Sequence, residues 1–180
     1  MKSLIPLALA AFMIPGLLVA QDKRFDSSPV EQFDLSRYLG VWFEIARFDH
    51  SFERGLDNVT AEHLLRDDGK IDVINSGWKD GKYQVAEGKA KQPEPLDDPA
   101  HLKVSFFLFF YSDYNVMMLD DNYPIALVGS KSPGYLWILS RTPAVSTDVL
   151  DAVLKEASDR GYDTSRLIWV DQDMNKSIAL

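Results

Sequence analysis

Glu44, His63, Asn75 and Tyr114 are polar residues set in runs that are otherwise largely apolar. Groups so placed hydrogen-bond a partner inside the fold, meet the polar head of a ligand, or take part in acid–base chemistry. Glu44 or Tyr114 could exchange protons with a lipid or polyene, and an inward His63 could ligate haem iron. The chain offers little else for catalysis. It has no cysteine, which removes thiol nucleophiles, disulfides, thiolate zinc sites and iron–sulfur clusters. His50, His63 and His101 are its three histidines, and none is spaced as in HExxH. Neither a glycine-rich phosphate loop nor GxSxG occurs. No nucleophile–base pair is evident, so the expectation is a binding protein without cofactor, not an enzyme.

A small chain must position these residues: 180 residues, 46% hydrophobic and 26% charged. That is the composition of a globular protein. Acidic residues outnumber basic ones, 27 to 19, for a net charge of −8. Affinity for phosphate backbones comes from Lys and Arg, so nucleic acid is not a partner. An anionic membrane surface would repel the chain.

Residues 1–20 differ from the rest. Lys2 is followed by an apolar stretch from Leu4 to Ala20, broken by Pro6 and Pro15-Gly16. This reads as a signal peptide ending at Ala20. Gln21 stands where a bacterial lipoprotein signal carries its acylated Cys. The expectation is an exported protein of the periplasm, near the outer membrane through contact at most and not through a lipid anchor. Residues 21–33 form an N-terminal extension, 34–171 one domain, and 172–180 a tail.

Strand patterns recur about every twelve residues across the middle of the chain. Eight are read: Trp42–Phe48, Asn58–Arg66, Lys70–Ser76, Tyr83–Lys91, His101–Phe109, Asp113–Leu119, Pro124–Gly129 and Tyr135–Arg141. Asp68-Gly69 and Asp80-Gly81 are hairpin turns. After the eighth strand the period changes to a helix. Val149, Leu150, Val153, Leu154 and Ala157 form its apolar stripe, Ser146 precedes it, and Arg160-Gly161 ends it. Leu167–Val170 is a last short strand.

If the eight strands run up and down and close into a barrel, the first meets the eighth. Trp42 and Arg141 then lie together at one end, the base, as a cation–π pair. The loop from Asp49 to Asp57 falls at the opposite end, the mouth.

Gly40-Val41-Trp42 on the first strand, Leu119 to Tyr123 in the sixth turn and Arg141 after the eighth strand together resemble the marks of the lipocalin family. Tyr38 to Leu56, Lys103 to Phe107 and Tyr135 to Pro143 are similar to bacterial lipocalins of the outer-membrane lipoprotein Blc type. The resemblance covers about Asp34 to Asp171. It implies an all-β fold: an eight-stranded antiparallel up-and-down barrel with a C-terminal α-helix packed outside. Gly40, Trp42, Tyr123 and Arg141 are then structural residues.

Such a barrel holds one small ligand. With Trp42 inward, strict alternation places Glu44, Ala46 and Phe48 inward too, while Phe43 and Ile45 face the helix. The other inward candidates are Ala61, His63, Asn75, Val104, Phe106, Tyr114, Val116, Met118, Trp137 and Leu139. This apolar lining suits a small hydrophobic ligand, a fatty acid or lysophospholipid. Tyr114 and Glu44 are the head-group candidates, and a head group at the mouth is expected nearer Tyr114. The run Phe106 to Tyr111 cannot all point inward. It leaves open a cover by Phe52 and Leu56, a port for lipid, a rim in transient membrane contact, or a homodimer patch. An enzyme acting on lipid or polyene and a tetrapyrrole carrier remain alternatives. A transmembrane barrel is opposed by Thr60, Glu62 and Arg66 on one face of a strand.

Overall fold

Alternating side chains and tight polar turns produce β1 (Gly40–Arg47), β2 (Asp57–Leu65), β3 (Ile71–Lys79), β4 (Lys82–Lys91), β5 (His101–Phe107), β6 (Phe110–Leu119), β7 (Ile125–Gly129) and β8 (Leu136–Ser140). The computed structural model describes residues 25–178. The leader expected over 1–20 and the start of the expected extension lie outside the described residues. Each strand pairs antiparallel with the next, and β1 pairs with both β2 and β8, closing an eight-stranded barrel. A ninth strand, β9 (Ile168–Trp169), adds to β1 at Ala46 and Arg47.

One hairpin turn follows directly from its residues. Asp80 and Gly81 both have positive φ, 52° and 72°, as a tight hairpin with the favoured twist requires. The β5–β6 hairpin has no such signal. It turns at Leu108-Phe109, inside the apolar run, with Leu108 at φ 53°. β6 therefore starts three residues before the expected Asp113.

Among the described residues three α-helices flank the barrel: α1 (Leu35–Tyr38), α2 (Thr147–Asp159) and α3 (Asp173–Ile178). α1 and α3 lack an apolar stripe long enough to be read from sequence. α2 is the helix the 3.6-residue period indicates. It buries Val153 and Ala157 against Ile45, Met117, Leu127 and Ile138 on the barrel's outer face. Ser146 is its N-cap by position, but its side chain makes no capping hydrogen bond.

The base is closed by α1. Tyr38 is fully buried and its ring lies 4.8 Å from that of Trp42. The Arg141 guanidinium covers the other side of the base, 3.7 Å from the Trp42 ring centroid. It donates to the carbonyls of Arg37, Tyr38, Leu39 and Val41. Gly40 has φ 90°, and a β carbon there would lie 3.7 Å from Arg141 Nη1. Tyr123 donates structure to the same base: its hydroxyl accepts from the Asp34 amide, and Arg37 lies over its ring at 4.2 Å.

Candidate ligand-binding site

A bulge in β1 decides which side chains enter the lumen. Glu44 pairs with Leu139 and Ala46 with Ile138, so the register shifts by one residue at Ile45. An inserted residue reverses the facing of everything after it. Glu44 and Arg47 both face inward as a consequence, while Ala46 and Phe48 pack outside with α2 and Tyr162. The inward placement of Ala46 and Phe48 expected from strict alternation is thereby corrected. β6 carries a second shift, between Val116 and Met118. Met118 consequently joins the outer cluster, whereas Val116 stays in the lumen.

The inner cluster brings together Val73, Val104, Tyr114, Val116, Leu139 and Trp137 with Trp42 and Tyr123. Asn75 sits opposite Ala61 in the β2–β3 ladder, and Ala61 opposite Trp42. Asn75 Oδ1 is buried without a hydrogen-bond partner. His63 is packed in the floor, 5.5 Å from the Tyr38 ring and 6.2 Å from that of Tyr114. Burial pushes its imidazole down to about 4, so it is neutral at pH 7.

Tyr114 also belongs to the floor. Its hydroxyl is 2.7 Å from that of Tyr38, and it stands opposite Leu102 near the start of β5. Strand stagger carries it away from the mouth, contrary to the expectation from its place in β6. Burial raises its phenol well above the ordinary value.

Phe106 lies across Gly88, where a β carbon would fall 2.7 Å from the ring. It is half exposed and part of the rim, not the inner cluster. Phe107, Leu108, Phe109 and Phe110 are exposed around it, and Phe52 is exposed as well, so the run has no cover from the 48–56 loop. The adjoining seam is open: β4 and β5 pair only from Lys89↔Ser105 to Lys91↔Lys103. Residues 82–87 are exposed on both faces. A groove of about 270 Å³ lies along this seam, lined in part by Gly88, Ser105, Phe106 and Phe107.

The polar part of the lumen is a buried cluster at the mouth. Arg47 Nη1 donates to Glu44 Oε1 at 2.6 Å, and Nη2 donates to the carbonyls of Glu53 and Leu56. Arg47 thus holds the loop over 48–56 down on the barrel. Lys79 adds a hydrogen bond to the Arg54 carbonyl from the end of β3. Glu53 turns inward from this loop and accepts from Trp137 Nε1 at 3.1 Å. His50 is stacked between Phe52 and Tyr135, 4.8 Å from the Trp137 ring.

Burial pushes the Glu44 carboxyl up to about 8, and Glu53 adds to this, because the single guanidinium of Arg47 cannot offset both. Burial likewise raises Glu53. Burial, aided by Arg47, takes His50 down to about 4. Glu44 is the residue of this cluster that the sequence reading placed inward. Arg47 and Glu53 were missed. An Arg between Ala46 and Phe48 in an apolar strand was the available signal for the first. For Glu53, in a loop, there was none.

The sequence profile of the lipocalin-like domain matches residues 33–172. The chain is a lipocalin. The lipocalin is 48% identical over 171 residues to the outer membrane lipoprotein Blc of Escherichia coli (strain K12), covering 94% of this chain and 96% of that protein. It is 50% identical to the protein of the same name from Vibrio cholerae, covering 80% and 85%. It is 37% identical to temperature-induced lipocalin-1 of Arabidopsis thaliana, covering 77% and 78%. Among solved structures it resembles insecticyanin from the tobacco hornworm Manduca sexta, with a TM-score of 0.69, 26% identity, and coverage of 82% and 85%. Lipocalins bind small hydrophobic ligands, and the side chains gathered inside this barrel are largely apolar.

Proposed function

We propose that this lipocalin is a carrier of long-chain lipids, fatty acids or lysophospholipids, in the bacterial cell envelope. The observation that carries the reading is the division of the lumen. Its walls are apolar, and its charged groups are collected in one cluster under the 48–56 loop. Each buried methylene contributes about 0.8 kcal/mol, so a chain of about ten gives roughly 8 kcal/mol gross. That is about micromolar binding before ordering costs reduce it. Native mass spectrometry of protein purified from its own envelope, with extraction of the bound lipid, tests this. A lipid-free protein, or one carrying only a tetrapyrrole, would refute it.

A binding role fits the condition of the two acid–base candidates. Glu44 is tied to Arg47, and Tyr114 to Tyr38. The names of the Escherichia coli and Vibrio cholerae relatives place those proteins at the outer membrane, which supports the envelope as this chain's site. With Gln21 after Ala20 and no cysteine in the sequence, we take the mature form to begin at Gln21 and to be free of a lipid anchor. Fractionation with N-terminal sequencing tests that, and acylated protein in the membrane pellet would contradict it. The exposed Phe107–Phe110 tip beside the open seam is the reading's port, touching membrane during transfer.

A further inference from the structure

Inside the mouth of the barrel Arg47 pairs with the Glu44 carboxyl and bonds the Glu53 main-chain carbonyl, while the Glu53 carboxyl, held by Trp137, is near enough to act on Glu44. Both carboxylates ionised would leave one negative charge in excess, so Glu44 keeps a proton up to about 8, and His50 beside it is neutral and adds nothing. Buried charge of one sign calls for a compensating group. Two further atoms here are incomplete. Arg47 Nε and His50 Nε2 are buried without a hydrogen-bond partner, on residues only 1% and 5% exposed. The imidazole, protonated on Nδ1, would accept at Nε2 from an N–H; the guanidinium Nε–H would donate to an oxygen.

We propose that this cluster is the head-group subsite of the carrier and that it selects an ammonium. Glu44 and Glu53 receive the cation of an amphiphile whose chain runs down the apolar wall, and Arg47 Nε meets an oxygen next to the amine. The inference rests on the carrier reading and narrows it: an amine-bearing head group is preferred to a bare carboxylate. An ammonium lets both carboxyls ionise, whereas a free fatty acid brings a further acidic group to two carboxyls that have one guanidinium between them, and Arg47 has only Nε left to offer it. The 48–56 loop covers the subsite, which lowers the local dielectric and sharpens this discrimination.

Dodecylamine, dodecanol and dodecanoate share one chain length and differ in head charge. Titrated into the full mature protein at pH 7, dodecylamine should bind at least about tenfold more tightly than dodecanol, with dodecanoate weakest. Glu53→Gln keeps an acceptor for Trp137 and removes one charge. It should cost dodecylamine at least about tenfold in affinity while dodecanol binds as before. Glu44→Gln, which leaves the loop itself untouched, should act in the same direction. Dodecanoate binding as tightly as dodecylamine would overturn the head-group assignment and leave the carrier reading intact. Equal losses for dodecylamine and dodecanol in both variants would overturn it too, showing that the carboxyls only hold the loop. Saturable binding by none of the three would overturn both readings.

Discussion

Arg141 stands over the face of Trp42 with 3.7 Å between guanidinium carbon and ring centroid, joining the start of the first strand to the end of the eighth. The contact seals the barrel's base, and its four carbonyl acceptors tie α1 to the same point. Arg141→Ala should therefore destabilise the fold by roughly 1–3 kcal/mol, from the lost cation–π contact and the freed carbonyls. Thermal unfolding measures this. Ligand preference should not change, because the base is closed off from the lumen by Tyr38 and Trp42.

Arg47→Ala should be the more damaging change at the mouth. It leaves Glu44 buried beside Glu53 with no cation and frees two loop carbonyls. Removing one partner of a buried pair costs about 3–5 kcal/mol. Hydrogen exchange should show residues 48–56 opening in the variant while the base stays protected.

The same cluster sets a pH dependence. Glu44 holds its proton up to about 8 in the fold but titrates at 4.5 when unfolded. Its contribution is complete below the unfolded value and is lost as pH rises through about 8. His50 and His63 work the other way. Both titrate near 4 in the fold against 6.5 unfolded, so stability falls as pH drops through 6.5 toward 4. Above 6.5 only the carboxyl pair remains among these groups, and the melting temperature should decline from there to beyond pH 8. Glu44→Gln should flatten that decline and leave the acid limb in place.

Much of this was legible from residue types. The eight strands, the closing of the first on the eighth, the outer helix and the Trp42–Arg141 pair all follow from period, parity and turn residues. The bulges at Ile45 and Met117 did not. A bulge inserts a residue without a mark in composition, yet it reverses every later side chain in its strand. That is why Ala46, Phe48 and Met118 were assigned to the wrong face and Arg47 was overlooked. Tyr114 was misplaced for different reasons: β6 begins at Phe110 and not at Asp113, so Tyr114 lies well inside the strand, and barrel shear offsets neighbouring strands by an amount that counting along one strand cannot supply.

Leu108 marks a conflict between local preference and surface. A leucine at φ 53° is strained by roughly 1–2 kcal/mol where glycine is not. Leu108→Gly should accordingly raise stability by about 0.5–1 kcal/mol after glycine's own entropic cost. It should also weaken binding to vesicles of zwitterionic lipid, because an exposed apolar side chain is lost from the hairpin tip. Vesicle flotation alongside thermal unfolding reads both effects. A gain in stability with unchanged flotation would remove the tip from the transfer step.

The most direct test of the carrier account is a chain-length series followed by Trp137 fluorescence, with Trp137→Phe as the control for the other three tryptophans. Trp137 lines the lumen and donates to Glu53 in the mouth cluster, so an occupant of either part perturbs it. Across lysophospholipids with chains of about eight to eighteen carbons, affinity should rise by up to roughly 0.8 kcal/mol per methylene and then level once the apolar wall is used up. The change in signal should vanish in the control. No saturable response at any chain length would contradict the account.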